Sequence, residues 1–272
     1  MYKLIAIDLD GTLLNSNKQI SQKNITYIKY AIDRGIKVII CSGRIFAGAR
    51  IFAKQMSIAE PLIACNGAII KDMNSEEVLY YNSMNIGDCL NVIDMCHAEN
   101  VYFHIYIGDT MYTEKLEFSS LFYWNKNKEL SEDEKVDIKL VGNIERIVEN
   151  CKAPVSKFVV ISEDLKQLKR IREKVCTLDT IEVVSSNYNN FEVMNNGVNK
   201  ANALKFLAGK MGIKREEIVA IGDNENDYSM IEYAGFGVAM ENAEEKIKSI
   251  ADFITLSNDQ DGVAHIIKKI VL

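Results

Sequence analysis

Several short apolar runs in the chain end abruptly at a polar residue. Leu4–Ile7 stops at Asp8, and Ile218–Ile221 stops at a Gly-Asp pair. Short aliphatic runs of this kind are typical of strands that are buried on both faces of a sheet. Segments with helical spacing separate the runs, such as residues 22–34, which precede the next apolar run at 36–41. Alternating strands and helices predict a parallel α/β sheet with right-handed crossover connections.

The middle of the chain has a different pattern. Residues 101–124 are rich in aromatic side chains and alternate in the manner of antiparallel strands, whereas residues 155–184 indicate a strand, a helix and a strand. A length of 272 residues suits about two domains. We therefore predict a Rossmann-like, doubly wound core formed by residues 1–82 and 189–272, with an inserted α+β domain over residues 83–188.

Composition limits the classes of partner. The chain is 48% hydrophobic and 26% charged, as in ordinary folded proteins. Its net charge of −6 argues against nucleic-acid and anionic-membrane partners. The six cysteines are scattered, and the N-terminal segment reaches an acidic residue too early for a signal peptide. We therefore expect a cytoplasmic protein with reduced thiols, present as a monomer or homodimer.

Two acidic clusters follow two of the predicted strands. Asp8-Leu9-Asp10-Gly11-Thr12 comes after the first, and residues 222–227 (Gly-Asp-Asn-Glu-Asn-Asp) come after a later one. Open α/β sheets bind ligands at the carboxyl ends of their strands, and carboxylates this close repel one another without a cation or a shared proton. The second cluster is not an EF-hand, because Tyr228 and Ala234 replace the required Gly and Glu. Acidic turns and helix caps use the same residue types, so neither cluster alone defines a function.

Two further features point to an anion. Ser42-Gly43-Arg44 follows the strand at 36–41, and Lys200 begins a predicted helix. A hydroxyl and a glycine amide ahead of a helix form a cradle for phosphate. A lysine in the first turn of a helix opposes the helix dipole, so it either has an anion beside it or points to solvent. Together with the acidic clusters, these residues predict Mg²⁺-assisted phosphoryl transfer at the edge of the sheet.

Four motifs, in their sequence order, resemble those of the haloacid dehalogenase superfamily and its Cof-type sugar-phosphatase branch. They are DLDGTLL from Asp8, CSGR from Cys41, GVNKANAL from Gly197 and GDNENDYSM from Gly222. Asn66-Gly67-Ala68 also matches this branch, and the insertion lies where the branch carries an α+β cap. Ser42 stands where many members have Thr, and Ala201 where Gly is common. Both are small changes to the pattern.

The resemblance implies a role for each matched residue. Asp8 is expected to attack phosphorus and form an aspartyl-phosphate, while Asp10 acts as general acid and then general base. Mg²⁺ is expected on Asp8, the carbonyl of Asp10 and Asp223. Phosphate binding is implied for Leu9, Ser42, Gly43, Lys200 and Asn226. Supporting contacts behind these groups are implied for Thr12, Arg44 and Asp227.

The resulting expectation is a Mg²⁺-dependent phosphatase of small phosphorylated metabolites, with sugar phosphates as the leading class. The inserted domain is expected to choose the substrate. A phosphomutase or phosphotransferase of the same superfamily has the same core motifs and stays open as an alternative. So does a regulator that binds a phosphorylated ligand without catalysis. A receiver-type signalling domain also groups acids, a hydroxyl and a lysine, but it would be about half as long and would lack the insertion.

Overall fold

A computed structural model describes residues 1–132 and 135–271 of the chain. The chain divides into two compact units, a core (Met1–Tyr80 with Asn199–Leu272) and a cap (Tyr81–Val198). The first boundary lies two residues before the predicted 82/83. The second lies about ten residues beyond the predicted 188/189, because residues 190–195 form an inner strand of the cap sheet.

The core is built on a five-stranded parallel sheet. Its strands lie in the order β14 (Phe253–Ile254), β13 (Phe236–Ala239), β12 (Ile218–Gly222), β1 (Leu4–Ile7) and β2 (Lys37–Ile40). A parallel bridge from Cys41 to Ile63 leads to a second sheet of β3 (Leu62–Ala64), β4 (Ile69–Lys71) and β5 (Val78–Tyr81). All four residues of β1 are fully buried. The predicted parallel core is therefore confirmed, with the fully buried β1 between β12 and β2.

In the described part of the chain, six helices accompany the strands of the core. They are α1 (Gln22–Asp33), α2 (Phe46–Gln55), α7 (Lys200–Lys210), α8 (Tyr228–Tyr233), α9 (Glu245–Lys248) and α10 (Gly262–Val271). The Ser21 hydroxyl accepts the amide hydrogen of Asn24 and starts α1, and the Asn199 side chain accepts the amide hydrogen of Asn202 and starts α7. These polar caps satisfy amide groups that a helix leaves free at its first turn. Because Asn199 is the N-terminal capping residue of α7, Lys200 is the first residue of this helix.

The cap is built on a mixed six-stranded sheet. The strand order is β10 (Ile181–Val184), β11 (Asn190–Asn195), β9 (Val155–Ile161), β6 (Tyr102–Ile107), β7 (Thr110–Thr113) and β8 (Asp137–Leu140). Its helices are α3 (Ile86–Ala98), α4 (Phe118–Lys126), α5 (Ile144–Asn150) and α6 (Leu165–Val175). Apolar residues of α3, α5 and α6 form one core with alternate residues of the sheet, such as Ile105, Phe158 and Phe191. The insertion is thus an α+β unit with a hydrophobic core of its own.

The opposite face of the cap sheet carries buried polar groups. Lys157 pairs with Glu192 at 2.6 Å, and both side chains are buried. His104 lies between the hydroxyls of Tyr102 and Tyr106, at 3.2 and 3.3 Å from its ring nitrogens. Burial, together with the charge of Lys157, lowers the pKa of His104 to about 3. His104 is therefore a neutral residue of the interior at physiological pH.

One sequence prediction in the cap is wrong. Residues 118–124, expected to continue an antiparallel strand pattern, belong to the helix α4. The Ser120 hydroxyl accepts the amide hydrogen of Glu117 at 3.1 Å, which satisfies a backbone group at the helix start. Alternating aromatic residues also suit a helix, because Phe118 and Phe122 are one turn apart.

Among the described residues, no helix combines the length and the apolar character needed to cross a membrane.

Candidate active site

The polar residues that follow β1, β2 and β12 meet at the carboxyl edge of the core sheet, together with the start of α7. The centre of this group is Lys200, whose side chain is fully buried. Its Nζ lies 2.5 Å from Asp8 Oδ1 and 2.6 Å from Asp227 Oδ1. Lys200 therefore points at two carboxylates, and the alternative of a lysine exposed to solvent is excluded.

Burial shapes the electrostatics of this cluster. It raises the pKa of Asp8 to about 7, with a further contribution from the charge of Asp227 that Lys200 only partly offsets. Burial and the same Asp227 charge also raise the pKa of Asp223. For Lys200, burial alone would lower the pKa, but the two carboxylates outweigh it and raise the pKa. The site thus holds three buried carboxyl groups beside one ammonium group, and the raised pKa values of Asp8 and Asp223 reflect the cost of ionising them together.

The donor atoms of the cluster fit a hard divalent cation. Asp8, Asp223 and Asp227 each offer a carboxylate oxygen, and these oxygens lie within 4.8 Å of one another. Asp227 is already engaged, because its Oδ1 accepts from Lys200 and its Oδ2 accepts the amide hydrogens of Asp223 and Asn224 at 2.9 and 3.1 Å. Asp8 and Asp223 are therefore the carboxylates suited to hold Mg²⁺. Asp227 positions Lys200 and the loop after β12.

Close backbone packing brings Asp223 to Asp8. The Thr12 hydroxyl donates a 2.6 Å hydrogen bond to Asp223 Oδ1. Gly11 lies beside the same carboxylate with φ +83°, and a Cβ at this position would overlap it. Glycine is required here for two reasons: it adopts a left-handed φ at low cost, and it has no Cβ to overlap the carboxylate. Thr12 and Gly11 thus join the loop after β1 to the loop after β12.

Asp10 lies outside the buried cluster. Its carboxylate accepts two hydrogen bonds from Arg44, at 2.6 Å from Nε and 2.8 Å from Nη2, and one from Lys18 Nζ at 2.9 Å. Burial acts to raise the pKa of Asp10, but Arg44 and Lys18 outweigh it and hold that pKa well below its usual range. In this arrangement Asp10 is a carboxylate. Sequence reasoning missed Lys18, which lies outside the polar clusters and has a left-handed φ of 58°.

The remaining predicted residues surround the same edge of the sheet. The Ser42 hydroxyl is buried and accepts the amide hydrogen of Arg44 at 3.1 Å, with Gly43 between them. The side chain of Leu9 is fully buried, so only its backbone can face a phosphate. Asn226 is buried and donates from Nδ2 to Asn66 Oδ1 at 3.1 Å. Asn66 was not among the predicted site residues, although its Asn-Gly-Ala motif marks it in the sequence.

Known proteins match the chain over its whole length. The sequence profile of the haloacid dehalogenase-like hydrolases matches residues 5–267. The putative phosphatase YxeH of Bacillus subtilis is 31% identical, covering 100% of this chain and 99% of its own. The 5-amino-6-(5-phospho-D-ribitylamino)uracil phosphatase YwtE of the same organism is 33% identical, with 99% and 98% covered. A solved haloacid dehalogenase-like hydrolase from B. subtilis superposes with a TM-score of 0.87 at 31% identity, with 98% and 99% covered.

These matches span the core and the insertion alike. They confirm the expected α/β core with an inserted cap, and they confirm the expected enzyme class, a hydrolase of phosphoric monoesters. By its sequence, its sheet topology and its relatives, the chain belongs to the haloacid dehalogenase-like hydrolases.

Proposed function

We propose that this hydrolase removes phosphate from small phosphorylated metabolites through a covalent aspartyl-phosphate on Asp8, with Mg²⁺ as cofactor. The observation that carries the proposal is the contact of Lys200 with both Asp8 and Asp227. It holds a buried carboxylate in one orientation at the edge of the sheet where α/β proteins bind ligands. A carboxylate fixed in this way is suited to nucleophilic attack, since little reorganisation precedes the reaction.

The cation site follows from the same carboxylates. Asp8, Asp223 and the carbonyl of Asp10 would hold Mg²⁺, while Thr12 orients Asp223 through its 2.6 Å hydrogen bond. When bound, Mg²⁺ supplies positive charge that offsets the charge on the phosphoryl oxygens. Asp227 keeps its hydrogen bonds from Lys200 and from the backbone amide of Asp223. The buried negative charge of the cluster supports a cation at this position.

The reaction then runs in two displacements at phosphorus. In the first, an oxygen of Asp8 bonds to phosphorus as the bond to the ester oxygen breaks, and Asp10 gives its proton to the leaving alkoxide. In the second, water loses a proton to Asp10 and attacks phosphorus, which frees phosphate and restores Asp8. Because Arg44 and Lys18 hold Asp10 as a carboxylate, it must leave this ion pair to carry the proton.

The phosphoryl oxygens require donors around them. We assign this role to the Ser42 hydroxyl, the backbone amides of Leu9 and Gly43, the Lys200 ammonium and the Asn226 carboxamide. Ser42, Lys200 and Asn226 are buried, and electrostatic interactions are stronger where water is excluded. Stabilisation by such preorganised donors is the main contribution that a protein makes to phosphoryl transfer.

We further propose that the substrate is a sugar or polyol phosphate and that the cap domain selects it. A supporting observation is the relative YwtE, which is named for a substrate that carries a 5-phospho-D-ribityl group. The cap has its own hydrophobic core, so its surface can vary without disturbing the chemistry of the core unit. A panel of sugar, polyol, nucleotide and pyridoxal phosphates would identify the class by its specificity constants.

The proposed mechanism is tested with Asp8→Asn and with Asp33→Asn as a matched control at an exposed helix end. We expect wild type and Asp33→Asn to release phosphate steadily from p-nitrophenyl phosphate with Mg²⁺ and to stop with a chelator, while Asp8→Asn is inactive. Borohydride reduction during turnover should convert Asp8 to homoserine, detectable by mass spectrometry. Wild-type activity in Asp8→Asn would refute the mechanism. Transfer to a sugar hydroxyl without phosphate release would identify a mutase instead.

A further inference from the structure

The turn between β3 and β4 has an unusual backbone. Cys65, Asn66 and Gly67 have φ values of 49°, 56° and 100°, so three successive residues lie in the left-handed region. This conformation is unfavourable for residues other than glycine, and it persists where surrounding contacts fix it. Cys65 and Asn66 are almost completely buried. Such a strained, buried turn indicates that the fold holds these residues in a defined position.

The turn contacts each segment that supplies a side chain to the proposed phosphate site. The amide of Asn66 donates to the carbonyl of Ser42 at 3.0 Å. Asn66 Oδ1 accepts from Nδ2 of Asn226 at 3.1 Å. Gly67 packs so closely against Asn199, the residue before Lys200, that a Cβ would overlap the Asn199 carbonyl. One turn thus touches the loop after β2, the loop after β12 and the start of α7.

The contact between the two amides has a specific chemical consequence. A carboxamide is planar and carries two N–H donors. When one N–H of Asn226 donates to Asn66, the plane of the amide is fixed, and the second N–H has a defined direction in which to meet a phosphoryl oxygen. Asn66 offers this acceptor without a charge. An aspartate would also accept the bond but would repel a phosphate dianion nearby.

We propose that Asn66 is a positioning residue of the phosphate site, which orients the carboxamide of Asn226 toward the transferred phosphoryl group. This inference rests on the function proposed above and extends it to a residue outside the acidic clusters and the Ser-Gly and lysine motifs. Backbone geometry alone does not require asparagine at this position, because glycine adopts a φ of 56° at lower cost. The hydrogen bond to Asn226 is a contact that glycine could not supply.

The test is Asn66→Gly, which removes the side chain and suits the backbone. We expect kcat/KM for p-nitrophenyl phosphate to fall about tenfold, as for other residues that orient a ligand-binding group. The inhibition constant of inorganic phosphate should rise by a similar factor, while thermal unfolding shows that the variant stays folded at the assay temperature. Asn100→Gly is the matched control, since Asn100 is exposed and has a φ of 46°. It should change none of these quantities.

A double-mutant cycle with Asn226→Ala separates the inference from the proposed function. In the Asn226→Ala background, Asn66→Gly should change kcat/KM by no more than about twofold, because the group that it orients is gone. Full, independent losses from the two substitutions would overturn the inference. So would unchanged activity in Asn66→Gly beside a damaged Asn226→Ala, or a fall in activity with unchanged phosphate affinity and a lower Tm. Absence of phosphatase activity in the wild type would instead refute the proposed function.

Discussion

Replacing Lys200 with methionine isolates the contribution of one buried charge. The ammonium lies 2.5 and 2.6 Å from two carboxylate oxygens and has no exposed surface. Methionine has a similar length and no charge, so the variant leaves Asp8, Asp223 and Asp227 facing one another. Removal of one partner from a buried ion pair destabilises a protein by about 3–5 kcal/mol. For a chain of this size, about 2–4 °C of Tm accompanies each kcal/mol, which predicts a Tm lower by about 6–20 °C.

The same substitution acts on the reaction. Loss of one preorganised donor lowers kcat by about 10²–10³, which corresponds to about 2.7–4 kcal/mol of barrier. The expected effects on stability and on turnover are therefore similar in size, and a matched control has to separate them. Lys157→Met provides it, because Lys157 is equally buried and pairs with Glu192 at 2.6 Å in the cap. This control should lose comparable stability and keep its turnover.

The assay combines thermal unfolding with initial rates on p-nitrophenyl phosphate at saturating Mg²⁺, below the Tm of both variants. We expect Lys157→Met to hydrolyse the ester at a rate close to that of wild type and Lys200→Met to be slower by at least about 100-fold. Equal losses of turnover in the two variants would show that activity falls through destabilisation. A Lys200→Met enzyme within about threefold of wild type would refute the assigned role of the ammonium group.

Three further predictions follow from single contacts. Gly11→Ala should lower kcat/KM by at least about 100-fold, because the methyl group displaces a carboxylate of the cation site. Gly35→Ala, at a similar φ of +78° with open space around it, should keep wild-type kinetics. Neutral His104, with a pKa of about 3, contributes stability that is complete above about pH 6.5 and is lost as the pH falls toward 3. Between pH 7 and pH 5, the unfolding free energy measured by chemical denaturation should therefore fall by about 2 kcal/mol less in His104→Gln than in wild type. Lys18→Met should speed alkyl phosphates relative to p-nitrophenyl phosphate by up to about tenfold, because it removes a cation that holds Asp10 as a carboxylate and the phenolate leaves without a proton from Asp10. An unchanged ratio of the two rates would exclude this role.

The meeting of Asp8, Asp223 and Lys200 could be predicted from the sequence. Each follows or precedes a clear element, and the carboxyl ends of parallel strands share one edge of a sheet. Strand order does not have to be known in detail for this prediction. The apolar runs and the predicted helix start at Lys200 were sufficient, because both are local signals.

Contacts between distant side chains could not be predicted in the same way. Lys18 reaches Asp10 only because its turn folds back over the loop after β1, and Asn66 reaches Asn226 across the sheet edge. The Asn-Gly-Ala motif marks Asn66, but no local signal in the sequence identifies its partner, and Lys18 lies in no motif. The cap boundary was misplaced for a related reason: residues 190–195 lie next to a core motif in sequence, but they pair with β9 and β10.

The position of β1 between β2 and β12 has a consequence for the synthesis of the chain. β1 pairs with β2, which is made almost at once, and with β12, which is made near the end. At about 5–20 residues per second, roughly 10–40 s separate the two partners. During this interval one edge of the apolar strand β1 is unpaired, and β1 has to be kept from pairing with strands of other chains. The cap, continuous in sequence and with its own core, can fold meanwhile. Asp8 is thus among the first residues to leave the ribosome and among the last to obtain its neighbours.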